Sequence, residues 1–70
     1  MERRVNIEAE RGRLEMTKVE MSAALGVSLK TYNAYIRGET IPSGVLMKLH
    51  EMTGKSVDYL LGLKDERKGV

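Results

Sequence analysis

Cysteine is absent from this chain and histidine occurs once, so no disulfide framework, thiolate zinc site or all-imidazole metal site can hold a fold together. Tryptophan and phenylalanine are also missing, and with three Tyr and five Met the core that must supply stability is aliphatic and methionine-rich. Long hydrophobic runs are lacking as well. Nothing approaches the ~18 residues of a membrane span, and the charged residues 1–5 lead into no apolar stretch of the kind a secretory signal needs. The expected setting is the cytoplasm, away from any membrane. No nucleophile, base and orienting acid stand together, no phosphate-cradling glycine loop follows a strand, and a shallow helical domain offers no deep pocket. These absences point away from an enzyme and imply no cofactor, no metal and no small-molecule substrate.

What is present organises itself around helix boundaries. The 70 residues make one domain, which at this size buries about 60% of the surface its unfolded chain exposes. Gly26, Gly38 and Gly54 stand just past short apolar-periodic segments, where a left-handed residue closes a helix, and Gly62 is placed to do the same. Upstream of each segment stands a capping residue: Thr17 before 18–25, Ser28 before 29–36, Ser43 before 44–53 and Ser56 before 57–61. Thr17 and Glu20 have the spacing of a capping box, in which each side chain satisfies an orphan backbone N–H of the first turn. With a first helix over about 5–14 the prediction is a compact all-α bundle of five helices, since no segment alternates like a strand. Its expected core is Ile7, Leu14, Met21, Leu25, Val27, Tyr32, Tyr35, Leu46, Leu49, Met52, Val57, Leu60 and Leu61. Residues 64–70 are charged and lack apolar periodicity, so the domain is expected to span 5–63 and end in a mobile tail.

Net charge is only +2, but its distribution is uneven: between Thr17 and Gly38 lie Lys18, Lys30 and Arg37 against Glu20 alone, and the rest balances. The same segment reads cap, helix, Gly26-Val27-Ser28, helix, glycine stop, which is a helix-turn-helix. Stepping about 100° per residue from Leu29 puts Asn33 near about 40°, Arg37 near about 80° and Lys30 near about 100°. Tyr32 and Tyr35 fall near about 300° and 240°, on the side that anchors the helix in the core. One face thus holds the domain and the other offers donors of the kind a major groove reads: Asn to adenine, Lys to guanine, an apolar group to a thymine methyl.

Thr17-Lys18-Val19-Glu20-Met21, then Leu25-Gly26-Val27-Ser28, Tyr32, Gly38, Pro42-Ser43 and Ser56-Val57-Asp58-Tyr59-Leu60-Leu61-Gly62 resemble the phage Cro and repressor helix-turn-helix family, over about residues 7–62. The resemblance implies a lambda-repressor-like DNA-binding domain, a transcriptional regulator whose partner is double-stranded operator DNA. It places phosphate or base contact at Lys18, base reading at Leu29, Lys30 and Asn33, and further phosphate contact at Arg37 and Thr40. With the helix-start residues, the candidate DNA-binding set is Thr17, Lys18, Ser28, Leu29, Lys30, Thr31, Asn33, Arg37 and Thr40. The sequence departs from the family where Ile36 stands in place of an acidic residue that pairs with a first-helix arginine, matched here by Arg11. Arg11 is then expected to reach phosphate or solvent. Ser22 and His50 replace alanines, Glu15 stands where a glycine often closes the first helix, and Gly12 lies inside that helix.

Each candidate also has a plainer use. A lysine is not what a helix dipole favours at an N-terminus, which argues for a contact role for Lys18 over simple solvation. Leu29 either meets a thymine methyl or is a chance surface leucine. Tyr32 and Tyr35 belong to the core rather than stacking on bases, and His50 has a structural role. The competing function is a protein-interaction module, such as an antitoxin or accessory subunit, which an apolar face in place of Lys30, Asn33 and Arg37 would have favoured. Val57, Leu60, Leu61 and Leu63 are more apolar groups than one small core is expected to bury, so Val57, Tyr59, Leu60 and Leu63 are the expected contacts of a homodimer on a palindromic operator.

Overall fold

A computed structural model describes residues 4–63, and the expected tail at 64–70 lies outside them. The described chain is five helices without a strand: α1 (Val5–Arg13), α2 (Lys18–Leu25), α3 (Leu29–Arg37), α4 (Ser43–Thr53) and α5 (Val57–Leu60). Three of these helices, α2, α3 and α5, start where a side chain satisfies an orphan amide. Thr17 Oγ1 accepts from Glu20 N at 3.0 Å while Thr17 N donates back to Glu20 Oε1 at 2.8 Å, completing the capping box. Ser28 accepts from Thr31 N and Ser56 from Tyr59 N, each at 3.1 Å.

The expected cap at Ser43 is corrected. Pro42 holds the cap position with φ −59° and ψ 149°, and its carbonyl accepts from Val45 N at 3.0 Å and Leu46 N at 3.1 Å. The ring pre-sets the entry angle, so Ser43 is already the first helical residue and makes no side-chain cap bond.

The closing turns of α1 and α2 share one hydrogen-bond pattern on different residues. At α2, Gly26 takes φ 74° and the amides of Gly26 and Val27 return to the carbonyls of Ala23 and Ser22, each at 3.0 Å. At α1, Glu15 takes φ 57°, with Glu15 N bonded to Gly12 O at 3.0 Å and Met16 N to Arg11 O at 3.2 Å. Glu15 is the only non-glycine residue with positive φ among those described, so the glycine missing there leaves backbone strain behind.

α2 packs on α3 and α4, α4 on α5, and α1 lies across α3 and α5. The core joins Ile7, Met21, Leu25, Tyr32, Tyr35, Ile36, Ile41, Leu49 and Leu60, with Leu14, Val27, Leu46, Met52 and Leu61 packed partly buried against it. Val57, expected inside, is half-buried and stands apart from the cluster. Ile36 and Ile41 join without having been expected. α1 widens the buried side of α3 beyond its two tyrosines, and Ile41 lies in a linker with no periodicity to read. Among the described residues no helix is long and apolar enough to cross a membrane.

Candidate nucleic-acid interface

The inner side of α3 is fixed before its outer side is considered. Tyr32 and Ile36 are completely enclosed, Tyr35 nearly so, and the Tyr32 hydroxyl donates to Glu8 of α1. Glu8 is the centre of a cluster that the sequence did not disclose. Arg11 grips it with two bonds, Nε to Oε2 at 3.0 Å and Nη2 to Oε1 at 3.1 Å, and Lys18 Nζ lies 3.8 Å from Oε1. Burial pushes the Glu8 carboxyl up, but the hydrogen bonds from Arg11 and Tyr32 and the charges of Arg11 and Lys18 outweigh it, holding the carboxyl below its ordinary range. The Tyr32 phenol is pushed well above its usual value by burial, then by its bond to Glu8 and by the Glu8 charge.

The expectation that Arg11 reaches phosphate or solvent is corrected here. With Glu8 one turn earlier on the same helix, Arg11 has an acidic partner despite Ile36, and its Nη1 also donates to Met16 O at 2.7 Å. The i,i+3 spacing of Glu8 and Arg11 was the available signal for this pair.

On the outer side, Lys30 and Arg37 are exposed, Asn33 is half-buried and Leu29 is 40% exposed. Among the described residues no side-chain hydrogen bond or ion pair engages Lys30, Asn33 or Arg37. The remaining candidates differ. Thr17 and Ser28 hold helix starts, the Ser28 hydroxyl donates to Thr31 Oγ1 at 3.0 Å, and Thr40 is exposed after the end of α3. Lys18 is tied through Glu8 to the same tyrosine that anchors α3, so the start of α2 and the core side of α3 share one carboxylate. His50 takes a structural place: its Nδ1 lies 2.8 Å from the Lys55 carbonyl, which requires the proton on Nδ1.

The geometry is therefore a helix locked along one face, presenting unengaged donors along the other, behind a glycine turn and a capped second helix. A family profile described as helix-turn-helix matches residues 7–60. The chain belongs to the helix-turn-helix family. No curated protein and no solved structure matches it. Members of this family are DNA-binding regulators, and it is a family of binding domains rather than of enzymes.

For the helix-turn-helix domain's expected dimer contacts, the structure requires one correction. Leu60 has 0% exposure and belongs to the domain's own core, so it is not available to a partner. Tyr59 is half-buried with its hydroxyl 3.4 Å from Glu10 Oε2, Val57 is half-buried, and Leu63 stands 74% exposed. The crowded last helix thus divides, with Leu60 inward and Leu63 outward. Arg4 and Glu8 are the residues that sequence reasoning missed.

Proposed function

We propose that this domain is a sequence-specific transcriptional regulator, a cytoplasmic repressor, that inserts α3 into the major groove of operator DNA. One observation carries the reading: Leu29, Lys30, Asn33 and Arg37 lie along the outer side of a helix whose inner side is fully committed to the core. Lys30 and Asn33 match guanine and adenine edges, and Leu29 matches a thymine methyl. Arg37, Thr40 and Lys18 supply phosphate contacts, with Thr17, Ser28 and Thr31 setting the two helix starts against the backbone. A half-site of a few base pairs discriminates weakly, so two domains on half-sites about 34 Å apart make the specific complex. In that dimer Val57, Tyr59 and Leu63 form the contact.

The test is selection of duplexes from a random pool, followed by binding of the recovered and scrambled sequences at two salt concentrations. Enrichment of a palindrome and a salt-dependent preference for it are expected. Failure to enrich any sequence would overturn the reading in favour of a protein-interaction module. Sedimentation of the complex, with Leu63→Asp alongside, checks the dimer: two chains per operator and a weakened complex in the variant are expected.

A further inference from the structure

Arg4 stands one residue before α1, and its donors converge on the far end of α3. Its N–H donates to Ile36 O at 3.0 Å, Nη1 to Tyr35 O at 2.7 Å and to Glu39 O, and Nη2 to Gly38 O at 3.4 Å. These carbonyls belong to the last turn of α3 and the loop behind it. There, helical carbonyls lack partners within the helix, and the dipole presents its negative end to a cation. Arg37 lies between the gripped positions and Thr40 directly after them. From within, Ile36 and Ile41 hold the same stretch in the core, so Arg4 closes a clamp around 35–41. A planar guanidinium serves several carbonyls at once, whereas a lysine ammonium is a point donor that cannot span the same fork.

We infer that Arg4 is a positioning residue for DNA binding: it fixes the backbone from which Arg37 and Thr40 meet phosphate. The inference rests on the phosphate role proposed for those two residues. In it, the two ends of α3 are set independently, the start by the Ser28 cap and the end by a residue from the beginning of the chain.

The experiment measures binding of the full chain to a random-sequence duplex across a salt series, for Arg4→Ala, Arg4→Lys, Arg37→Ala, Lys18→Ala and the doubles Arg4→Ala/Arg37→Ala and Arg4→Ala/Lys18→Ala. All are compared at a temperature where circular dichroism shows them folded. Arg37→Ala is expected to weaken binding about fivefold, Arg4→Ala at least as much because the Thr40 contact goes with it, and their double no more than Arg4→Ala alone, because the Arg37 contact is already lost when Arg4 is gone. The salt slope of that double should fall by about one charge, and that of Arg4→Ala/Lys18→Ala by about two. Arg4→Lys should not restore binding, and if Arg4→Ala fails to fold, Arg4→Lys carries the same cycle. Full rescue by lysine, or a slope that falls by about two in Arg4→Ala/Arg37→Ala, would show Arg4 touching phosphate itself and would overturn the inference. Additive losses while Arg37→Ala is itself impaired would overturn the inference alone. A neutral Arg37→Ala would overturn the phosphate role of Arg37 and the inference with it.

Discussion

On α1, Glu8 and Glu10 each hold an arginine, Arg11 at 3.0 Å and Arg13 at 2.7 Å, and each accepts a tyrosine hydroxyl from another helix. On α3, Lys30, Asn33 and Arg37 engage no side-chain partner among the described residues. The two helices carry similar chemistry and use it oppositely. Glu8, Glu10 and Arg11 lie between helices, where a charge must be paired, and together with the half-exposed Arg13 they tie α1 to α3, α4 and α5 through Tyr32, Thr53 and Tyr59. The α3 groups stand where water satisfies them until a ligand does. A charged residue in a small helical domain is thus read by its partners rather than by its sign. Substitutions on α1 should then change stability and spare operator recognition, and substitutions on the outer side of α3 should do the reverse.

The largest effect expected is at Glu8, whose side chain is only 13% exposed. Glu8→Ala leaves Arg11 and Tyr32 without their shared acceptor and should cost about 3 kcal/mol in urea unfolding. Because the carboxyl is held below its ordinary value of 4.5, it stabilises the folded state above that pH. This stability is lost as pH falls through the lowered folded value. The parent should therefore lose stability on acidification below about pH 4.5 more steeply than Glu8→Gln. Parallel acid profiles for the two would break the assignment of Glu8 as a structural anion.

Next in size, Lys30→Ala and Asn33→Ala should each weaken binding to the selected operator by about 2 kcal/mol, with unfolding free energies within about 0.5 kcal/mol of the parent. A large loss of stability in either would erase the contrast between the two helices.

Two smaller changes sharpen it from the α1 side. Glu15→Gly removes a side chain from a φ of 57° and should raise stability by about 1 kcal/mol. At Gly12 an added methyl group meets nothing within 4 Å, so Gly12→Ala should stabilise by ~0.7 kcal/mol. Thermal melts of both, with operator affinity unchanged, are the expected outcome. Altered affinity would mean that α1 participates in recognition directly.

The boundaries of α2 and α3 were legible because their causes are local. A hydroxyl that caps and a glycine that closes lie within a few residues of the amides and carbonyls they serve, as Thr17, Ser28, Gly26 and Gly38 do. The alternation of Tyr32 and Tyr35 against Lys30, Asn33 and Arg37 gave the two sides of α3 for the same reason. At Ser43 the local signal misled, because Pro42 satisfies the entry geometry one residue earlier. Leu60 and Leu63 could not be told apart by composition, since which of two leucines turns inward depends on where α1 and α4 lie.

By itself, then, the sequence determined an all-helical domain with a capped helix-turn-helix and a polar outer side on its second helix, because periodicity and capping act over one or two turns. Only the tertiary structure decided that the Tyr32 hydroxyl and Lys18 converge on Glu8, that Ile36 and Ile41 complete the core, and that Arg4 reaches the far end of α3. The last of these joins residues 31 to 35 positions apart along the chain. Bonds of that span exist only once the helices have packed, since no local rule brings residue 4 to residue 39.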